Sequence, residues 1–179
     1  IDGKAAALVL YQDPLRQAVI PLLERLRRLG VRETVMLTGD DEATAKKIGR
    51  QAGITTVKAD LLPADKVAVV RELLARHTVV LMVGDGINDA PALATATVGI
   101  ALGAHGAAVS AEAADAVITV DDVGRVADAV AIGQHTRRVA LQSIGIGIGV
   151  SGSMMAVAAF GYIPPTLGAV LQEVLDVAV

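Results

Sequence analysis

Three short segments of the sequence carry side chains suited to phosphate and Mg²⁺ chemistry. They are Thr38-Gly39-Asp40, Leu62-Pro63-Ala64-Asp65-Lys66 and Gly84-Asp85-Gly86-Ile87-Asn88-Asp89. A hydroxyl and an open backbone N–H at a helix N-terminus can hold a phosphoryl group. Carboxylates can bind a hard divalent cation, and a lysine ammonium can neutralise a phosphoryl group during transfer. Together the three segments favour phosphoryl chemistry.

Each segment also has a purely structural interpretation. The first could be a turn that caps the next helix, and Lys66 could be a solvated surface lysine. The third could be an Asp-Gly turn in which Asp89 caps a helix. A fourth candidate, Arg16, could reach a nucleotide phosphate or form a surface ion pair.

Alternating strands and helices must position these loops. Candidate strands cover 5–10, 34–37, 55–58, 79–83, 98–101 and 116–120, and candidate helices cover 15–29, 43–52, 64–76, 89–95 and 107–113. This alternation predicts an α/β fold in which a parallel, Rossmann-like sheet has helices on both faces and the chemistry lies at the carboxyl ends of the strands. Gly30 and Gly53 are expected to end helices, and Asp89 to begin one.

Composition excludes several classes of protein. The 179 residues carry 16 basic and 19 acidic side chains, so the net charge of -3 offers no electrostatic footprint for nucleic acid. With no cysteine, disulfides and thiolate metal sites are excluded. The three histidines lie far apart and predict no metal site.

An uncharged run from 139 to 160 follows Arg137-Arg138. As a helix it spans about 33 Å, enough to cross a bilayer core, and the preceding basic residues predict a cytoplasmic start. A buried, glycine-rich helix of a soluble protein is the alternative. Pro164-Pro165 predicts a turn before a second apolar run at 166–179.

Two carboxylates lie in the second apolar run. Glu173 and Asp176 are three residues apart, and Gln172 precedes them. Because carboxylates are costly inside a membrane, they predict a transported-cation path. Emergence of this segment into water is the alternative.

The three loops, in this order and followed by a membrane hairpin, resemble the phosphorylation domain of P-type cation-transporting ATPases, within the haloacid-dehalogenase-like fold. The segments 161–165 and 168–173 resemble the heavy-metal branch of that family.

The resemblance implies ATP and Mg²⁺ as cofactors and gives each loop a role. Asp85 would bind Mg²⁺, with Asp89 supporting the same site. Thr38, Gly39, Asp40 and Asn88 would belong to the phosphoryl site, Lys66 would stabilise its charge and Arg16 would bind ATP phosphates.

The resemblance also implies an organisation of the chain. Residues 1–120 would form part of the phosphorylation domain, 121–138 a helical stalk, and 139–179 a transmembrane hairpin truncated in its second helix. The protein would be a multi-pass membrane protein with residues 1–138 in the cytoplasm, and its cargo would be zinc, cadmium, cobalt, nickel or copper. The family is phosphorylated within Asp-Lys-Thr-Gly, which these residues lack and which is expected before Ile1. This chain alone is therefore expected to be inactive and to work with the remaining parts of the same pump.

Two other functions remain open from the sequence. The first is a soluble Mg²⁺-dependent phosphatase of the same fold, for which Asp13 is the early candidate nucleophile. The second is a membrane-anchored module without catalytic activity.

Overall fold

The computed structural model describes residues 15–84, 87–103, 112–162 and 164–178. The chain divides into two compact units, Ile1–Asp128 and Ala129–Val179, here called the first and second units. The functional division predicted at 120 and 138 stays a prediction.

The described part of the first unit alternates short strands with helices. The strands are β1 (Val35–Leu37), β2 (Thr56–Lys58), β3 (Leu81–Gly84), β4 (Val98–Leu102) and β5 (Ala116–Ile118). The helices are α1 (Val19–Arg28), α2 (Glu42–Ala52), α3 (Pro63–Arg76) and α4 (Ala90–Thr95), the last preceded by a 3-10 turn at Ile87–Asp89, and α5 (Arg125–Ala159) begins in this unit. All strand pairs are parallel, so the predicted α/β architecture is confirmed. The predicted strand at 5–10 and most of the predicted helix at 107–113 lie outside the described residues.

Within the described residues the strands form two separate parts of a sheet, which the sequence did not predict. β1 pairs with β2, and separately β3, β4 and β5 pair in that order. Within the described residues, no strand pairs with the second edge of β1 or of β3. Both of these strands are apolar, yet the residues of β1 and Leu81–Val83 of β3 are only half-buried. Strands that are apolar at every position are typical of parallel sheets in which both faces of the strand are buried.

Two glycines allow helices to lie directly on strands. A Cβ atom at Gly49 of α2 would lie 2.5 Å from Val57 Cγ2 on β2. A Cβ atom at Gly99 of β4 would lie 2.7 Å from the carbonyl oxygen of Leu93 on α4. The second approach is the stricter one because backbone cannot rotate away as a side chain can.

Buried aliphatic residues from α1, α3, α4 and the start of α5 make up much of the core of the first unit. They include Leu22, Leu23, Leu26, Val70, Leu73, Leu93, Val126 and Ala127, each no more than 9% exposed. The charged residues Glu24 and Arg25 on α1 and Arg71 and Glu72 on α3 are exposed, as expected for amphipathic helices.

Two helix ends agree with the sequence. Gly53 has a φ of 72° and its N–H donates to the last carbonyls of α2, and Gly30 has a φ of 91° just after α1. Glycine is favoured at both places because a Cβ atom would strain this left-handed backbone.

The second unit contains the rest of α5 and the helix α6 (Pro165–Ala178). Gly161, with a φ of 81°, follows α5, and Pro165 is the first residue of α6. Of the described helices, α5 is the one long and apolar enough to cross a membrane, and its Ile148 and Met155 are 70% and 71% exposed. The two predicted helices are therefore confirmed as helices, while their insertion into a bilayer stays a prediction.

Gly99→Ala is expected to destabilise the first unit by about 1–3 kcal/mol, because the added methyl group forces α4 away from β4. Urea denaturation in detergent, followed by circular dichroism, measures the effect. Gly133→Ala on α5 is the matched control, since no atom of the described residues lies within 4 Å of the place its methyl group would take, and it should be neutral or slightly stabilising. Equal stability of the two variants would contradict this account of the packing between α4 and β4.

Candidate functional site

A largely buried ion pair joins the helix that follows β2 to the turn that follows β3. Lys66 lies in the first turn of α3, which follows β2, and Asp89 lies in the 3-10 turn that follows β3. Lys66 Nζ donates to Asp89 Oδ1 at 2.7 Å, and the two side chains are only 15% and 12% exposed. The interpretation of Lys66 as a solvated surface lysine is therefore wrong. Among the described residues the two charges pair with one another, and an unpaired charge in such a poorly hydrated place would be costly.

Gly84 makes room for the Asp89 carboxylate. A Cβ atom at Gly84 would lie 2.7 Å from Asp89 Cβ and 2.8 Å from Asp89 Oδ2. Asp89 does precede α4, as the sequence predicted, but its side chain makes no capping hydrogen bond. The carboxylate instead packs against Gly84 at the end of β3 and accepts a hydrogen bond from Lys66.

The loop after β1 is closed by its own side chains. Thr38 Oγ1 donates to Asp40 Oδ2 at 2.9 Å, and the Asp40 N–H donates to Thr38 Oγ1 at 3.1 Å. Thr38 is half-buried, whereas Gly39 and Asp40 are exposed. The hydroxyl and the carboxylate are therefore held together at the carboxyl end of a strand.

Backbone hydrogen bonds fasten this loop to the loop after β2. The Thr38 N–H donates to the Lys58 carbonyl at 3.0 Å, and its own carbonyl accepts from the Leu61 N–H at 3.1 Å. The Asp60 N–H donates to the Asp40 carbonyl at 2.9 Å. These bonds therefore hold the Thr38 loop against the segment that leads into Lys66.

Asp41, not the Thr38-Gly39-Asp40 turn, caps α2. Asp41 Oδ1 accepts from the N–H groups of Ala43 and Thr44 at 3.0 and 3.1 Å. Hydrogen bonds from the Thr44 hydroxyl and backbone hold the pKa of Asp41 below its usual value. Sequence reasoning missed this cap, although an aspartate directly before a helical segment, with a further acidic residue in the first turn, is a recognisable helix start. The interpretation of Thr38-Gly39-Asp40 as the helix cap is therefore wrong.

Asp65 fixes the helix that carries Lys66. Its Oδ2 accepts from the Leu62 N–H at 3.0 Å, and Pro63 is the first residue of α3 as predicted. Proline fits here because its missing N–H would have no helical partner. Pro63 and Asp65 thus fix the first turn of α3, and with it the backbone position of Lys66.

Other predicted site residues lie elsewhere or outside the described residues. Asn88 is exposed in the 3-10 turn beside Asp89, whereas Asp85 lies outside the described residues. Arg16 forms an ion pair with Asp121, so the alternative of a surface ion pair is what the structure contains. Glu173 is exposed on α6, and the side chains of Gln172 and Asp176 on the same helix lie outside the described part.

The described residues fit Mg²⁺ as part of a site. Mg²⁺ in phosphate chemistry takes one or two carboxylates and completes its shell with water and phosphate oxygens. Asp89 supplies one carboxylate, whose Oδ1 is already bound by Lys66. This arrangement suits a supporting role for Asp89 next to a second carboxylate. Among the described residues, no three histidine, aspartate or glutamate side chains cluster as a metal site.

Breaking the Lys66–Asp89 pair is expected to cost about 3 kcal/mol, because Lys66→Met leaves a carboxylate unpaired in a poorly hydrated place. Adding Asp89→Asn to that variant should then cost less than Asp89→Asn costs alone, by about 1–3 kcal/mol. Urea denaturation of the four proteins of this double-mutant cycle measures the coupling. Strict additivity would mean that the two groups do not stabilise one another.

Sequence comparison relates the chain to metal-transporting pumps. It is 40% identical over 179 residues to a manganese-exporting P-type ATPase of Mycobacterium leprae, which covers 100% of this chain and 25% of that protein. It is 39% identical over 164 residues to a cadmium, zinc and cobalt-transporting ATPase of Bacillus subtilis, covering 90% of this chain and 23% of that protein. The chain thus spans about a quarter of the length of the curated relatives it matches, and the resemblance drawn from its loops is confirmed.

Structural comparison gives the same relationship. A crystal structure of a zinc-transporting PIB-type ATPase in the E2.Pi state matches with a TM-score of 0.86 and 34% identity, covering 93% of this chain and 27% of that one. Residues 1–97 match the family of haloacid dehalogenase-like hydrolases. With its parallel strands and with polar loops at their carboxyl ends, the chain belongs to the haloacid dehalogenase-like hydrolase family.

Proposed function

We propose that this chain supplies the Mg²⁺-binding and phosphoryl-stabilising loops of an ATP-driven heavy-metal transporter, together with part of its membrane path. The observation that carries the proposal is the Lys66–Asp89 pair, which brings a cation from the helix after β2 against a carboxylate from the turn after β3. Metal-transporting relatives that match the whole or nearly the whole chain support it.

The residues divide the work of phosphoryl transfer between them. Thr38 and Gly39 offer a hydroxyl and a backbone N–H to phosphoryl oxygens, and Asn88 offers an amide. Lys66 stabilises the negative charge that spreads over those oxygens. Asp89 keeps the Lys66 ammonium in place and contributes a carboxylate to the metal site. Asp85 is the proposed direct Mg²⁺ ligand. When bound, Mg²⁺ neutralises phosphoryl charge and orients the group for in-line attack.

The phosphorylated aspartate is proposed to come from another part of the same polypeptide. A strand that ends in the nucleophile could pair between β1 and β3, whose second edges have no partner among the described residues. Such a strand would cover apolar residues that are now half-buried in β1 and β3. Within each part of the sheet the strands are parallel, and the Lys66–Asp89 contact brings the segments after β2 and β3 together. A strand parallel to both β1 and β3 would therefore end beside these loops.

The membrane portion is proposed to carry the transported metal. α5 has the length and the exposed apolar surface of a membrane helix, and residues 1–138 would then be cytoplasmic. On α6, Glu173 with Asp176 and Gln172 would contribute oxygen ligands or a counter-charge to the metal path. Oxygen ligands suit divalent ions. The names of relatives include manganese, which the sequence reasoning left out, besides zinc, cadmium and cobalt.

The two alternatives fit the chain less well. A soluble phosphatase would need a nucleophile such as Asp13, which lies outside the described residues, and it would leave the exposed apolar face of α5 unexplained. A module without catalysis would not require a charge pair held away from water at the strand ends.

In the intact protein, Lys66→Met is expected to slow phosphoenzyme formation from ATP by about 10²–10³-fold, the usual effect of losing one group that stabilises transition-state charge. Asp85→Asn should abolish it by removing a Mg²⁺ ligand. Acid-quenched labelling with γ-³²P-ATP measures both rates. Lys47→Met, on the exposed surface of α2, is the matched control and should behave as wild type. Wild-type labelling in Asp85→Asn would refute the proposed Mg²⁺ site.

Glu173→Gln is expected to preserve ATP binding while reducing metal-stimulated ATP hydrolysis at least about tenfold, because a charged ligand to the cation is lost. The assay compares hydrolysis with and without Zn²⁺, Cd²⁺, Co²⁺ or Mn²⁺ in reconstituted vesicles. Thr166→Val changes a polar residue earlier on the same helix and serves as control. An unchanged metal response in Glu173→Gln would remove this residue from the transport path.

A further inference from the structure

A network of ion pairs joins α1 and the residues before it to the beginning of α5. It has two parts, here together called the junction network: a separate pair between Arg16 and Asp121, and three pairs with shared members, Arg25–Asp128, Arg125–Asp128 and Arg125–Asp122. All six residues belong to the first unit. The network connects parts of the chain that are about a hundred residues apart in sequence.

Asp128 accepts hydrogen bonds from two arginines of the junction network. Its Oδ1 accepts from Arg25 Nη2 at 2.6 Å, and its Oδ2 accepts from Arg125 Nη1 at 3.3 Å. Arg25 and then Arg125 hold the pKa of Asp128 below its usual value. Both carboxylate oxygens are therefore engaged, one by α1 and the other within the first turn of α5.

The first turn of α5 is also packed against the core. Val126 is 1% exposed and Ala127 is fully buried, directly before Asp128. The backbone N–H groups of Val126 and Ala127 donate to the carbonyls of Val123 and Gly124 at 3.1 Å. The ion pair thus lies beside an anchored turn and restricts how that turn can rotate or slide.

Contacts lead from the Thr38 loop to this turn. α2 begins just after Asp40, and at its other end the Gly53 carbonyl accepts from Arg27 Nη2 of α1 at 2.8 Å. Arg25, two residues earlier on α1, binds Asp128. Elements that touch one another thus lead from the Thr38 loop through α2 and α1 to the start of α5, which is the physical connection that transmission between them would require.

Stability alone does not account for the Arg25–Asp128 pair. Its side chains are 44% and 36% exposed, and exposed ion pairs of this kind add little to folding free energy. The pair does have a directional consequence, because a carboxylate that accepts from two arginines of different segments restricts the orientation of the turn that carries it.

We propose that Arg25 and Asp128 are positioning residues that hold the first turn of α5 on α1, so that rearrangement at the phosphoryl site reaches α5. The positioning stands on the geometry alone, and the transmission rests on the proposed transport function. Neither residue touches phosphate or metal in this account.

Hydrogen exchange of the chain itself tests the positioning. Arg25→Gln and Asp128→Asn should each speed exchange of the amides of 126–132, and the double variant should exchange no faster than either single variant. Asp128→Glu, which keeps the carboxylate, should restore much of the protection. Glu72→Gln, which breaks an exposed ion pair with Arg76 on α3, is the matched control and should leave these amides unchanged. Unchanged exchange in both single variants would overturn the proposal.

Assays of the intact pump test the transmission. Asp128→Asn should reduce metal stimulation of ATP hydrolysis by about fivefold, the lower range of coupling between sites. Phosphorylation by inorganic phosphate without metal should stay at the wild-type level, and Asp128→Glu should recover the stimulation. Faster exchange with unchanged metal stimulation would overturn the transmission. A wild-type pump without any ATP-dependent phosphorylation would instead refute the proposed function, while the exchange experiment would still decide the positioning.

Discussion

The contact between Lys66 and Asp89 is the constraint on which the arrangement of the first unit depends. The two parts of the sheet share no ladder in the described residues, so the relative position of their loops must be set by other contacts. The ammonium of Lys66 and the carboxylate of Asp89 provide one that is specific in distance and direction, and Gly84 leaves the space it needs. Because both charges lie largely out of water, removing either side chain leaves the other as an unpaired, poorly hydrated charge, which is strongly destabilising.

The same contact contributes both to the folded structure and to the proposed phosphoryl chemistry. A cation held at the carboxyl end of a parallel sheet serves phosphoryl chemistry only if its position is fixed before the substrate arrives. Asp65 fixes the start of α3, the backbone bonds between the Thr38 and Asp60 loops fix the neighbouring turn, and Asp89 fixes the ammonium. The site is thus organised by residues that themselves do not need to touch the phosphoryl group.

The sequence predicted those features that depend on local spacing. The strands that precede each loop, the glycine ends of α1 and α2 and the proline start of α3 follow from local preferences, and their positions are confirmed. The partner of Lys66 could not be read, because residues 23 positions apart are joined only by the packing of α3 against the turn after β3. The division of the sheet was missed for the same reason, since strand pairing is non-local. The Asp41 cap, by contrast, depends on local spacing and could have been predicted, because Asp41 stands directly before the helical segment.

The central claim is that these loops serve an aspartate supplied from another part of the same polypeptide, and identification of the phosphorylated residue tests it most directly. The intact protein would be labelled with γ-³²P-ATP, quenched in acid, digested, and the labelled peptide sequenced by mass spectrometry. The account predicts a hydroxylamine-sensitive acyl phosphate on the aspartate of an Asp-Lys-Thr-Gly segment and no label within the 179 residues of this chain. Label on Asp13, or on any other residue of this chain, would contradict it.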